Sequence, residues 1–205
     1  MSDIVLEFQS IPTTCISDTM QGLNNMDPSI KPLKEEYRVA GRAYTVKMPV
    51  GDNQCVLRAI RDAKPGDILV IDAKGDTYRT IAGDFILGLA QTLGITAVVT
   101  DGVIRDIIGV KQLNFPVFCK GTTVASSAKA GWGQVNVDIS CGGTSVSPGD
   151  IIVADADGVV VVPKAIEEEV LNKAKEKLLQ DKERDEKISG NPDAIRSYLD
   201  SMLSK

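Results

Sequence analysis

The chain has 205 residues, 43% hydrophobic and 25% charged, an ordinary balance for one large globular domain or two small ones. A formal net charge of −5 argues against nucleic acid as a general partner, and the absence of histidine removes every mechanism that needs imidazole. No 18-residue apolar run occurs, and the polar opening Met1-Ser-Asp-Ile does not suit a signal peptide, so no membrane contact and a cytoplasmic location are expected.

In chain order, Thr13 to Leu23 reads as a short amphipathic helix. Tyr37 to Met48 reads as extended chain in two pieces. Tyr37 and Val39 alternate before Gly41 and Tyr44, Val46 and Met48 after it, so a bulge or bend at the glycine is expected to reset the phase. Gly51-Asp52-Asn53 marks a turn, Gln54 to Ala63 a helix, and Ile68 to Ile71 a short buried strand. Gly83 to Leu93 is expected as a helix, Ala97 to Thr100 as a strand, Val103 to Gly109 as a short helix and Val117 to Lys120 as a strand. From Val135 the pattern turns to strands, ending in Gly158-Val-Val-Val-Val-Pro163. Ala165 to Lys187 is a long charged helix with Leu171, Ala174, Leu178 and Leu179 on one side, and Asp193 to Leu203 is a second helix.

Pro65-Gly-Asp-Ile-Leu-Val-Ile-Asp-Ala-Lys-Gly75 matches Pro148-Gly-Asp-Ile-Ile-Val-Ala-Asp-Ala-Asp-Gly158 at eight of eleven positions. The shared grammar is turn, four apolar residues, turn, which places two similar strands in one fold and assigns Asp67, Asp150, Asp155 and Asp157 to turns. The elements together predict one α/β domain that mixes parallel βαβ units with antiparallel strands and carries a C-terminal helical tail. Cys15, Cys55, Cys119 and Cys141 show no C-x-x-C spacing and are expected as reduced, buried thiols.

Chemistry concentrates at Asp84, Arg105 and Asp106. Twenty residues separate Asp84 from the Arg105-Asp106 pair, enough for one helix and one strand that return the chain to its starting level. Arg105 suits capture of a carboxylate, Asp106 a hard divalent cation, and Asp84 a proton or a water. A 2-oxo acid offers two oxygens to Mg²⁺ or Mn²⁺, and the helix amides around Gly83 to Ile86 suit an anion. That chemistry is retro-aldol cleavage or β-decarboxylation, which share a pyruvate enolate. The bland alternatives are a favourable helix start at Asp84 and a surface ion pair at Arg105-Asp106. Lys47 and Lys120 could form a Schiff base, although a place beside solvent is the commoner fate of a lysine. Neither a dinucleotide fingerprint nor a P-loop is present.

These residues belong to an ordered set: Thr14-Cys-Ile-Ser-Asp-Thr-Met20, Gly51-Asp-Asn53, Gly83-Asp84, Asp101-Gly-Val-Ile-Arg-Asp106, Pro116-Val-Phe118, Gly142-Gly143, Pro148-Gly-Asp150 and Ala154 to Pro163. The set resembles the RraA-like family, which includes 4-hydroxy-4-methyl-2-oxoglutarate aldolases. The resemblance implies a swivelling β/β/α fold over residues 1–163 with a helical extension over 164–205, assembled as a homotrimer or a pair of trimers. It implies a metal-dependent lyase releasing pyruvate from a 4-hydroxy-2-oxo acid, with oxaloacetate decarboxylation as a companion activity. Arg105 then binds substrate, Asp106 binds Mg²⁺ or Mn²⁺, Gly83, Asp84, Phe85 and Ile86 contact substrate, and Asp84 orders a metal-bound water. The family's other branch, inhibitors of ribonuclease E, has glycine in place of the first acid and an acid three residues after the motif aspartate. Here Asp84 is present and Gly109 occupies the later position, which favours the enzyme. The chain departs from the family in having Cys55, Leu57 and Arg58 where histidine is frequent, and Lys120 where arginine is common. The C-terminal acid that the family's aldolases take from a neighbouring subunit has no assigned position here.

Overall fold

Four strands with helical crossovers between them make the parallel half of the sheet. In the computed structural model, which describes residues 3–204, these are β2 (Val39–Lys47), β3 (Asp67–Asp72), β4 (Ala97–Thr100) and β5 (Val117–Cys119). The crossovers are α3 (Gln54–Asp62), α4 (Asp84–Thr92) and α5 (Ile107–Leu113). A parallel neighbour can be reached only by a crossover of a dozen residues or more, which is what each helix provides. The sheet runs β1-β5-β4-β3-β2-β9-β10, with β1 (Lys31–Pro32), β9 (Ile151–Ala154) and β10 (Val159–Val162) as antiparallel additions and β6 (Gln134–Val135) on the end of β2. A separate ribbon pairs β7 (Ile139–Cys141) with β8 (Thr144–Val146).

Three apolar clusters fix the layers. On one face, α3, α4 and α5 bury Val56, Ala59, Leu87, Ala90 and Val110 against Leu69, Ile71 and Val98. Further along that face, α1 (Asp3–Gln9), α2 (Thr13–Thr19) and α6 (Glu167–Ile188) cover β9 and β10 through Phe8, Ile16, Val170, Leu171 and Ala174. The opposite face is closed by Ile139, Cys141 and Val146 of the ribbon with Ile30 and Phe118. The result is helix, sheet and ribbon, the expected β/β/α arrangement.

Strand β2 corrects one expectation. It is continuous through Gly41, with no bulge: Tyr37, Val39 and Ala43 enter the ribbon-side core, whereas Ala40, Tyr44, Val46 and Met48 enter the helix-side cores. The two alternating sets are the two faces of one strand, each covered over a different stretch. Gly41 is required by closeness, because a Cβ there would stand 2.7 Å from the Ile68 side chain and 2.8 Å from the Gly66 carbonyl. A second correction concerns Val103 to Gly109. Val103 and Ile104 are extended and bridge Thr80 and Thr122, and the helix begins only at Ile107. The helix at Thr13 is also shorter than expected, ending at Thr19 before Gln21 and Gly22 turn through positive φ.

The repeated segments become β3 and β9, on either side of β2. Their turns match atom for atom: Asp67 accepts from the Lys64 N–H and Asp150 from the Ser147 N–H, each 2.8 Å, while Asp72 and Asp155 accept 3.0 Å bonds from Lys74 and Asp157. The turn assignment of these aspartates holds. Helix α6 is tied down at its start by Glu167, which takes both ends of the Arg42 guanidinium. Leu178 and Leu179 are exposed, because α6 outruns the sheet after Ala174, its last buried residue, and α7 (Pro192–Leu203) packs beside it. No helix among the described residues is long and apolar enough to cross a membrane. All four cysteines are free and buried, and burial pushes each thiol pKa up.

Candidate active site

Two loops at the carboxyl ends of β3 and β4 bring the chemistry together. After β3 the chain passes through Thr80 to Gly83 and enters α4; after β4 it passes through Asp101 to Asp106 and enters α5. The loops lie side by side because Ile81 N–H donates to Val103 O at 2.8 Å and Arg105 N–H donates to Ala82 O at 3.1 Å. Asp101 holds the floor: its buried carboxylate accepts from the Ala73 N–H at 2.7 Å and the Gly75 N–H at 3.1 Å. Burial pushes the Asp101 carboxyl pKa up, and these two amides pull the other way. Asn53, in the turn before α3, supports the same place from beneath by donating to Ile81 O at 2.9 Å.

Asp106 has φ 58° and ψ 40°, a left-handed conformation that costs an aspartate roughly 1 kcal/mol and directs its side chain back across the neighbouring loop. There its carboxylate meets Arg105 Nε at 3.1 Å and lies over the bare Cα of Gly83. A Cβ on Gly83 would fall far inside the 3.0 Å floor for such atoms at Asp106 Oδ2, and 3.3 Å from Arg105 Nε. Asp84, the first residue of α4, sits in the same way over Gly109 of α5, where a Cβ would lie 2.9 Å from the Asp84 Cβ and nearer still to its carboxylate. The acid of each loop therefore occupies the space left by a glycine belonging to the other. Arg105 and Asp106 thus meet over Gly83, while Asp84, the next residue in the chain, has its carboxylate over Gly109, three residues beyond Asp106.

The site is open. Arg105 and Asp106 keep 42% and 45% of their side-chain surface. Asp106 and Gly109 line a shallow depression of about 640 Å³ with Thr122, Thr123 and Val124, while Asp84, Phe85, Gly88 and Gly109 line an adjoining one of about 600 Å³. Phe85 is 76% exposed, so its side chain stands at the rim, whereas its N–H donates 2.7 Å to Asp84 Oδ1; Ile86 is half-buried against the helix-side core. Among the described residues no group of three or more carboxylates or thiols could enclose a metal ion. Asp106 alone suits a cation that retains most of its water, such as Mg²⁺ or Mn²⁺, and does not suit zinc.

Of the alternative nucleophiles, Lys120 donates its N–H to Gly102 O at 2.9 Å but has its ammonium bound to Asp27 at 2.8 Å, and Lys47 is exposed at the end of β2. The supports Asn53 and Asp101 carry no chemical signal of their own in the sequence, although both lie in its motifs, Gly51-Asp-Asn53 and Asp101-Gly-Val-Ile-Arg-Asp106. Asp84 and Gly109, two separate marks in the sequence, meet in space and make a single steric fact.

The RraA-like family, described as Aldolase/RraA, matches residues 13–161. A Halalkalibacterium halodurans protein named "Putative 4-hydroxy-4-methyl-2-oxoglutarate aldolase" is 57% identical over 201 residues, 98% of this chain and 96% of that one. An uncharacterized Pseudomonas syringae protein of solved structure superposes with a TM-score of 0.83 at 29% identity, covering 96% of this chain and 92% of that one. Streptomyces coelicolor RraAS2, described as an unusual member of the RNase ES inhibitor RraA protein family, gives 0.80 at 26% identity, with 89% and 96% covered. With the profile spanning most of the chain and a near full-length relative sharing more than half its residues, this protein belongs to the RraA-like, Aldolase/RraA family.

Proposed function

We propose that the protein is a divalent-cation-dependent carbon–carbon lyase that releases pyruvate from 4-hydroxy-4-methyl-2-oxoglutarate or a related 4-hydroxy-2-oxo acid, and that it also decarboxylates oxaloacetate. The observation that carries this reading is the meeting of Arg105 and Asp106 over Gly83, with Asp84 next to it in the chain. The name of the Halalkalibacterium halodurans relative supports the same reaction class.

Asp106 would hold the cation, Mg²⁺ or Mn²⁺, which would supply a Lewis acid for the substrate's 2-oxo group. Arg105 would hold the substrate carboxylate by its guanidinium fork, and the amides of Gly83 to Ile86 at the α4 start would add partial positive charge. Asp84 would accept the proton of the 4-hydroxyl, directly or through one water, as the C3–C4 bond breaks. The electron pair of that bond would pass into the 2-oxo group, the other fragment would leave as a new carbonyl compound, and the enolate would take a proton at C3 from solvent to become pyruvate. In decarboxylation carbon dioxide leaves instead, and no hydroxyl proton need be taken. Asp84 is thus required by only one of the two reactions.

The surroundings support a homotrimer or a pair of trimers in which a second copy covers the site. Phe85, Ile108 and Val124 stand beside it with exposures of 76%, 75% and 98%, apolar surface out of keeping with a bare rim. A second reading, a binding protein that inhibits a ribonuclease, is favoured by the description of RraAS2. Pyruvate release followed with and without chelator decides between them. The lyase loses activity with EDTA and in Asp106→Ala; chelator-resistant turnover, or an undiminished variant, rejects the mechanism.

A further inference from the structure

Helix α5 spends its third position on a glycine, although glycine in a helix costs about 1 kcal/mol relative to alanine. No turn or positive φ requires it there: Gly109 is absent from the positive-φ glycines. What requires it is Asp84. Any Cβ at 109 would meet the Asp84 Cβ at 2.9 Å and Cγ at 3.0 Å, with Oδ2 closer still. The only hydrogen bond found for the Asp84 carboxylate among the described residues comes from the next N–H, that of Phe85. Hydrogen bonding therefore restrains the carboxylate from one side only, and the α5 backbone is its other wall.

We propose that Gly109 is a positioning residue: its missing side chain is the seat of the Asp84 carboxylate and fixes where that acid meets the hydroxyl proton of the substrate. The proposal rests on the reading of Asp84 as the proton acceptor. It makes the packing of α4 on α5, rather than a hydrogen-bond network, the device that aims the acid. Arg105 and Asp106 are held separately, by Gly83 and the Ala82 carbonyl, so a change at 109 acts on proton transfer while leaving the carboxylate-binding and cation-binding groups in place.

The test compares wild type, Gly109→Ala, Asp84→Gly and the double variant. Asp84→Gly is chosen over Asp84→Ala because the Asp84 Cβ itself lies in the way. Gly109→Ala should lower kcat for 4-hydroxy-4-methyl-2-oxoglutarate by about 10- to 100-fold, the scale of an ångström-sized misplacement, with KM changed less than about threefold. In the Asp84→Gly background the same substitution should change kcat by less than about twofold. Thermal melting gives a reading independent of turnover. Once Asp84 is truncated, Gly109→Ala should raise Tm by about 2–4 °C through helix propensity, and in the wild-type background it should fail to do so. Wild-type kcat in Gly109→Ala, an equal loss in both backgrounds, or an equal rise in Tm in both overturns the proposal. A wild-type protein that releases no pyruvate overturns the lyase reading instead, and the melting comparison still decides whether Gly109 seats Asp84.

Discussion

Gly83→Ala is the sharpest perturbation of the site, since it puts a methyl group in place of a hydrogen where the fold tolerates it and the chemistry does not. Gly83 has φ −118° and ψ −174°, an extended backbone open to any residue, so alanine brings no conformational strain. The new methyl would claim the place of Asp106 Oδ2, and the carboxylate must give way by roughly an ångström to restore ordinary contact. It can do so cheaply, because Asp106 is 45% exposed on its side chain. Stability should therefore change little, within about 0.5 kcal/mol as for surface substitutions. A group misplaced by about an ångström loses on the order of 10²-fold in rate, equivalent to about 2.7 kcal/mol of barrier. The assay is pyruvate release at saturating Mg²⁺ beside a melting curve. The expected result is a native Tm with turnover down about 100-fold and a raised Mg²⁺ requirement. Turnover within about threefold of wild type would refute the idea that Asp106 is held in register by Gly83.

Further outcomes follow from other parts of the structure. Arg105→Lys keeps the charge but loses the planar fork, so KM for the 2-oxo acid should rise at least about tenfold in steady-state assays; an unchanged KM removes Arg105 from carboxylate binding. Phe118→Ala, in the ribbon-side core where the ring is fully buried, should cost about 3–5 kcal/mol in denaturant unfolding. The Lys120 ammonium, with the backbone and hydroxyl of Ser29, holds the Asp27 carboxyl well below the usual carboxylate range. A carboxyl lowered on folding stabilises the protein above its unfolded pKa of about 3.9 and loses that contribution as pH falls towards its folded value. The Tm gap between wild type and Lys120→Met should thus be full near pH 6 and shrink below about pH 4, and a gap that widens in acid contradicts the pairing.

The strands at Ile68 and Ala97 and the helix at Gly83 were legible because local pattern and burial agree there: β3 and β4 are covered on both faces, and α4 is bounded by Gly83 and Gly94. Reading failed where two environments share one element. The apolar residues of β2 serve different cores on its two faces, so a single alternation looked like two out of phase. Val103 and Ile104 fall at helical spacing from Ile107 and Ile108, yet they are drawn into bridges with Thr80 and Thr122, which no local pattern records. The meeting of Asp84 with Arg105 and Asp106 could be inferred from chain length between them. The seats at Gly83 and Gly109 could not, because they depend on how closely two loops and two helices approach.

The paired strands that flank β2 show what an edge partner needs and what it does not. β3 runs with β2 and β9 against it, although the phrase they share opens and closes with the same hydrogen-bonded turns. Direction is thus imposed by the route of arrival, a helical crossover in one case and a return from the ribbon in the other, and is not written in the strand. The two copies agree at Ile68 and Ile151 and at Val70 and Val153. Within the strands they diverge at Leu69 and Ile152 and at Ile71 and Ala154, positions that look towards helices in β3 and towards the ribbon in β9. The residues that agree change faces as well, Ile68 and Val70 looking towards the ribbon and Ile151 and Val153 towards the helices, so one vocabulary serves both margins of the central strand on either face.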